Sequence, residues 1–548
     1  MDHPLKMRGR NTGENDAKVA SQRRGLATHT GFGALLAILF LTFLDNTVIS
    51  AVLAKVQSQL HAGISDLQWI VGGYALAFAS LMLICGSLGD NYGRKRVMII
   101  GVAIFCGGSI LCALATTSTL LVVGRVIMGI GAAASEPSTL SMIRHIYPDP
   151  RQRARALGSW AAVSGLALAM GPVIGATLVG AISWRAIFWG NLLFGVIAMI
   201  VAGRTLPESA DPTRSRPDYA GFVIGAVVLG SATFATIAGE TQGYLSSSIV
   251  TLYVISGLFI PIFLLVEHRM TNPMLNLSFF RRRPFTGSTF IAFASYFSIF
   301  SIFFFVALYL EIVASVTAFN LAIDFLPMLA GMVIASLYAG RWVGAVGTRV
   351  PMMTGCFVAA AGVLLTDIYI DPTAGISTVG WTMGIAGIGF GTLIVPVTYT
   401  ALSSVPAAHS GMAASANNTS RELGAVAGVA ILGSIVNGQL TVNLIQRLAA
   451  IRHPAIPVAF RSEIIAAVTA GSFNSEAKGL SGRSSAAVQA IIKKVVQAAY
   501  SAFTHGLNIA LTISFVLLLL SGTVSYATGT KGGSTLFADD SELTLETA

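Results

Sequence analysis

Gly86-Ser87-Leu88-Gly89-Asp90-Asn91-Tyr92-Gly93-Arg94-Lys95-Arg96 is a short basic turn set between two long apolar runs, 67–88 and 97–115. Each run has about the 20 residues that one helical crossing of a bilayer requires. The turn is too short to travel far from the membrane, and its three consecutive cations mark it as cytoplasmic. Gly86 and Gly93 permit close backbone approach, and Asp90 places an anion between them. A basic hairpin obeying only the orientation rule is the plainer reading, but it would need neither the glycines nor the aspartate.

The rest of the composition fits the same class. The chain is 54% hydrophobic and 11% charged, against about 25% charged residues in soluble proteins. A net charge of +10 would suit nucleic acid. The cations, however, cluster in short loops between apolar runs, where membrane topology explains them better and no nucleic-acid partner is expected. Cys85, Cys106, Cys112 and Cys356 all fall inside apolar runs. They lack the spacing of a metal site and are expected to be small core residues. No cleavable signal peptide is expected, because the first apolar run is long enough to span.

Apolar runs near 31–53, 67–88, 97–117, 119–141, 156–181, 186–203, 219–239, 248–267, 285–310, 321–343, 351–370, 376–400, 411–437 and 502–527 suggest about fourteen spans. They divide the chain into a basic tail (1–30), a six-helix bundle (31–204), and a linker with two extra helices (205–284). A second six-helix bundle (285–527), containing the loop 438–500, and a short tail (528–548) follow. Arginines in alternate loops (Arg94, Arg151, Arg214, Arg281, Arg349) put both termini in the cytoplasm. The cationic loop 438–500 should then lie outside, and a loop of that length escapes the charge rule. Within it, 486–503 has helical apolar spacing and is a candidate to lie along the interface.

Two blocks of six spans suggest a repeat. Gly340-Arg341-Trp342-Val343-Gly344-Ala345-Val346-Gly347-Thr348-Arg349 follows the second span of the second block. It reads as a decayed copy of the opening turn, with Gly344 where Asp90 stands. The opening turn resembles the G-x-L-x-D-x-x-G-R-(K/R) loop of the major facilitator superfamily. Leu44-Asp45-Asn46-Thr47-Val48-Ile49-Ser50 in the first span resembles the L-D-x-T-(I/V)-V-N stretch of its fourteen-helix EmrB/QacA-type drug:proton antiporter branch. Ser50 and Ala54 replace that branch's asparagine and proline. Gly165 to Ala176, with Gly171, Pro172 and Gly175, is similar to the antiporter motif ending G-P-x-x-G-G. Further likeness covers Ser183 to Asn191, Asp218-x-x-Gly221, and Gly411 to Gly424. The resemblance implies an all-α membrane protein with the major facilitator fold, two six-helix bundles plus two central helices.

Charges inside spans are costly, so each is a candidate site. A carboxylate removed from water takes up a proton more readily, which makes Asp45 a candidate proton carrier. A structural aspartate held by a neighbouring helix is the alternative. Arg125, in Gly124-Arg125-Val126-Ile127-Met128-Gly129-Ile130-Gly131, resembles the family's R-x-x-Q-G-x-G with Met128 for the glutamine. Arg125 and Asp45 lie at comparable depth and are able to pair, as a coupling site or as packing alone. Glu136, about three turns beyond Arg125 on the same helix face, is a second candidate acid, unless it merely compensates the neighbouring Pro137. Pro172 should bend its helix. Ala167, Gly171 and Gly175 form a small-residue stripe for a close helix partner. Glu311 and Asp324 suggest an outer vestibule for cations, or simply exposed loop acids. Of the aromatics between Tyr296 and Tyr309, most should face lipid, because consecutive residues cannot share a helix face.

No phosphate loop, metal-ligand spacing or nucleophile elbow occurs, so neither an enzyme nor an ATP-driven pump is expected, and no cofactor or metal. The resemblance implies a bacterial inner- or plasma-membrane exporter that exchanges apolar, cationic drug-like molecules for protons. Its partners are then the substrates, protons and lipid. It is expected to be a monomer, with a periplasmic adaptor as an option in a Gram-negative host. A single-metabolite or single-antibiotic exporter, and a non-transporting membrane sensor or scaffold, are the rival readings.

Overall fold

The computed structural model describes residues 29–62, 64–209, 218–270, 273–312, 318–370, 379–450 and 486–530. The remainder of the two tails, the linker 210–217 and residues 451–485 of the long loop lie outside the described residues.

The first run forms α1 (His29–Val48). It passes into a 3-10 turn at Ile49–Val52 and a short helix, α2 (Leu53–Leu60). The first span therefore tightens four residues after Asp45 instead of running on to Leu53. Long helices follow: α3 (Ile64–Tyr92), α4 (Arg94–Ala113), α5 (Ser118–Ile146), α6 (Pro150–Ala181) and α7 (Arg185–Thr205). The two extra helices are α8 (Tyr219–Gln242) and α9 (Ser247–Arg269). The second block is α10 (Arg283–Ile312), α11 (Ala318–Val346), α12 (Arg349–Tyr369), α13 (Trp381–Ser403), α14 (Ser410–Ala450) and α15 (Ala486–Thr528).

Twelve of these helices are long and apolar enough to cross a bilayer, and α6 makes thirteen if its two bent segments count as one span. The expected span 411–437 lies in α14, where Asn417, Asn418, Arg421 and Glu422 dilute the apolar run. In α6 the segments Pro150–Leu168 and Val173–Ala181 meet at 44°, and Gly171 and Pro172 lie between them. Proline cannot donate to the helical ladder, so a bend there is its ordinary consequence.

α14 has 41 residues and α15 has 43. At about 1.5 Å per residue each is about twice the ~30 Å apolar thickness of a membrane. α15 runs unbroken from Ala486 through the last span, so 486–503 is a continuation of that span and not a separate interfacial helix.

The repeat is visible in the packing. α4 crosses α5 where a Cβ on Gly101 would meet Gly131 O at 2.7 Å. α12 crosses α13 where a Cβ on Gly355 would meet Gly389 O at 3.0 Å. The two short turns also match: Gly93 has φ 108° and Gly347 has φ 86°, a region that side chains disfavour. Each block then leans on the other by an equivalent contact. A Cβ on Gly86 of α3 would meet Gly411 O of α14 at 2.7 Å, and one on Gly158 of α6 would meet Ser336 O of α11 at 2.8 Å.

The aromatics of α10 depart from expectation. Tyr296, Phe297, Phe305 and Tyr309 are buried, while Phe304, and Phe290 earlier in the helix, are exposed. α10 is packed against α13, α14 and α15, so several of its faces are interior.

Candidate functional site

Two polar clusters occupy the interior, and a third set of charges closes one end of the bundle. The first cluster lies within the first block. Arg125 of α5 pairs with Asp45 Oδ2 of α1, and both side chains are about 1% exposed. Asn191 Nδ2 of α7 donates to Asp45 Oδ1 at 2.7 Å. Arg125 Nε donates to Ile70 O of α3 at 3.0 Å, and its guanidinium lies 4.5 Å from the Tyr74 ring centroid. Four helices thus converge on one ion pair. Burying either charge alone would be costly, and pairing offsets much of that penalty.

Glu136 does not join this pair. It lies where α5 meets α14, and Asn418 Nδ2 donates to its Oε1 at 3.1 Å. Arg421, one turn on, donates to Asn418 Oδ1 at 3.3 Å and to Thr398 Oγ1. Its guanidinium stands between Trp160 of α6 (5.5 Å) and Tyr296 of α10 (5.2 Å). Glu422 is close enough for its charge to act on Glu136 and Tyr296. On the same helix Asn417 is 1% exposed, and neither side-chain polar atom has a partner. Buried amides are ordinarily bonded, so this second cluster holds spare hydrogen-bonding capacity beside aromatic faces.

The third set lies at the end carrying the Arg94 turn. Asp90 Oδ1 accepts from Arg94 Nε (2.9 Å) and Nη2 (2.7 Å). The same carboxylate accepts Gly411 N at 2.9 Å and Met412 N at 2.8 Å, the first amides of α14. Arg94 reaches Ala407 O and Ala408 O, each at 3.0 Å. Arg144 at the end of α5 donates to Leu402 O and to Val405 O (2.9 Å), at the end of α13. The first block therefore meets a helix N-terminus of the second with an anion and helix C-terminal carbonyls with cations, the arrangement helix dipoles favour. These bonds hold the blocks together at that end.

The remaining expected residues are more local. A Cβ on Gly171 would meet Thr47 Cβ at 2.8 Å and Val48 N at 2.9 Å, so the stripe on α6 is covered by the end of α1 in its own block. Thr47 Oγ1 also donates to Leu168 O at 3.2 Å. Gly175 is buried. Asp324 is 6% exposed within α11 and is no loop acid, while the structure describes only the backbone of Glu311. Sequence reasoning passed over Arg144, Asn418, Arg421 and Glu422 as site residues. The signal was present for two of them: Arg421-Glu422 is a charge pair inside an otherwise apolar run.

A major facilitator superfamily model matches residues 35–429, and the chain belongs to that family. Its fold is that of a membrane transporter rather than an enzyme. Among solved structures, a bacterial homologue of the human lysosomal transporter Spinster aligns with a TM-score of 0.55 at 16% identity, covering 92% of this chain and 99% of the other. The drug efflux pump JefA of Mycobacterium tuberculosis is 31% identical over 89% of this chain and 94% of its own length. The methylenomycin A resistance protein of Bacillus subtilis is 33% identical over 74% of this chain and 88% of its own.

Proposed function

We propose that the chain is a drug exporter of the major facilitator superfamily, driven by protons and working by alternating access. The two blocks, 31–204 and 285–527, rock about the second polar cluster, with 205–284 carrying the extra helices. The loop rule makes the Arg94 end cytoplasmic. The state described is then closed towards the cytoplasm by Asp90, Arg94 and Arg144. Asp45 carries the proton, Arg125 and Asn191 hold it in place, and Glu136 attracts cationic substrate to the aromatic and amide groups around Asn417 and Tyr296.

The observation that carries this reading is the buried Asp45–Arg125 pair, which takes no part in the contacts that close the Arg94 end. Pairing offsets much of the cost of burying the two charges, but a span that needed only packing would carry neither. Relatives named for resistance to a single antibiotic support a second reading, a dedicated exporter of one compound. Expression in an efflux-deficient host against varied dyes and antibiotics, followed by pH-driven uptake into inverted proteoliposomes, separates the two. Breadth favours the first reading, and a single accepted compound the second. Wild-type protein that moves nothing favours the sensor.

A further inference from the structure

Asp218 and Glu267 lie outside both clusters, at the Arg94 end of the hairpin made by α8 and α9. Asp218 caps α8, its Oδ1 accepting from Gly221 N at 2.7 Å. Glu267 is in the last turn of α9, and its Oε2 accepts from Leu275 N at 3.0 Å. The two residues are 5% and 2% exposed. The other oxygen of each, Asp218 Oδ2 and Glu267 Oε1, is buried with no hydrogen-bond partner. Both face the bare Cα of Gly221: a Cβ there would stand 2.5 Å from the first and 2.6 Å from the second, so the two oxygens lie within about 5 Å of each other.

Among the described residues, the surrounding elements bring no counter-charge to them. Neither carboxylate has an ion pair among the described residues. α3 presents Tyr92, whose hydroxyl meets Tyr219, and α14 presents Met412. His268 and Arg269 follow on α9, and Arg281 lies in the turn beyond. Arg282 is engaged with Ser404 O at 3.0 Å and the Phe279 ring. After burial itself, the charge that bears on Glu267 is that of Asp218, while the amides of Leu275 and Met274 face its carboxylate. Two buried carboxylates this close do not both ionise readily. Glu267 lies in the last turn of its helix, where the dipole disfavours an anion.

We propose that Asp218 and Glu267 together hold one proton, Glu267 Oε1–H donating to Asp218 Oδ2, as a second proton-binding site linked to the gate. Binding forms one O–H bond, satisfies both orphaned oxygens and needs no other reactant. Asn276 follows Leu275, and its N–H meets Met412 Sδ at 3.3 Å, while Met412 N–H donates to Asp90 Oδ2 at 2.8 Å. Loss of the proton sets two buried charges face to face and loosens the segment that leans on the residue Asp90 holds. The link rests on the gate described above; the proton site itself does not depend on it.

Infrared spectra of the purified full chain in nanodiscs, in H2O and D2O at neutral pH, test the site. The wild type is expected to show the C=O stretch of a protonated carboxylic acid that Glu267→Gln loses. This variant keeps the contact, its amide donating to Asp218 Oδ2. Asp218→Asn removes the neighbouring charge and is expected to move the disappearance of the same band to lower pH, which a carboxyl protonated by burial alone would not do. An acid band unchanged in both variants overturns the proposal. So does a pair without such a band whose melting temperature rises with sodium or calcium at fixed ionic strength, since the site would then hold a metal cation. With spin labels across the Arg94 end, Glu267→Gln is expected to remove one component of the pH profile of opening. Identical profiles overturn the link to Asp90.

Discussion

Replacing Asp90 by asparagine tests whether the Arg94 end is a gate. The carboxylate accepts four donors, two from Arg94 and two from the first amides of α14. The Arg94 bonds lie four residues away on the same side of the interface and survive when the blocks part. The bonds from Gly411 and Met412 do not survive, so they set the difference between closed and open. A hydrogen bond to a charged group is worth about 1.5–3 kcal/mol and a neutral one about 1 kcal/mol. Asparagine keeps one of the two as a neutral bond and turns its NH2 group towards a donor. The closed state should therefore lose roughly 2–5 kcal/mol, a shift of about 30- to 5,000-fold in the closed-to-open ratio. Spin-label distances across this end would measure that ratio, with pH-driven transport in proteoliposomes as the second readout. The variant should fold, favour the open arrangement and turn over slowly. Wild-type distances and rate in well-folded Asp90→Asn would refute the reasoning and leave the turn a topological signal only.

Three further outcomes are expected. Asp45→Asn leaves Arg125 buried without its counter-ion, which should cost about 3–5 kcal/mol of stability and abolish uphill export while energy-independent drug binding survives. Undiminished drug-induced proton release in that variant would remove Asp45 from coupling. Gly171→Leu drives a side chain into Thr47 and Val48; overpacking of about 1–3 kcal/mol or more should stop transport at normal membrane insertion, and a normal rate would mean that the contact is not needed. Glu136→Gln keeps the bond from Asn418 but loses the charge, so cationic dyes should bind about tenfold more weakly, the ~1.4 kcal/mol of a partly desolvated ion pair, while neutral drugs are spared; equal losses for both would point to packing instead.

Much of this architecture was legible because a bilayer forces simple patterns on a sequence. Run lengths located the helices, and the turns at Gly93 and Gly347 exposed the repeat. Asp45 and Arg125 stood out because charges are rare in spans, and their equal depth could be counted. What the sequence hid are the partners supplied by the other block. Nothing near Glu136 in sequence indicates that it meets Asn418, 282 residues away. The stripe around Gly171 announced a close neighbour without saying that it is α1. Arg144 falls just outside the apolar run 119–141, and nothing around it in the sequence indicates that it binds the carbonyl end of α13. The aromatics of α10 misled for a related reason: period alone says that faces differ, but how many of them are lipid depends on how many helices surround the span.

The buried charges divide by what they bridge, and that division constrains coupling. Asp45, Arg125 and Asn191 belong to one block, so adding or removing a proton there makes or breaks no bond between blocks. Asp90, Arg94 and Arg144 bridge the blocks, but at the end they close. Glu136 is the acid of the first block that reaches the second within the interior, through Asn418 and, beyond it, Arg421. A ligand shifts a conformational equilibrium only by binding the two arrangements differently. Substrate that competes with Asn418 for Glu136 would do so directly, since it exchanges an inter-block bond for a substrate bond. If Asp45 carries the proton as proposed, protonation would instead act by loosening Arg125 from α1, against the turn at Ile49–Val52 where α1 already departs from regular helix. On the proposed mechanism, drug binding and protonation would thus enter by different doors, and α5, which carries both Arg125 and Glu136, would be the element they share.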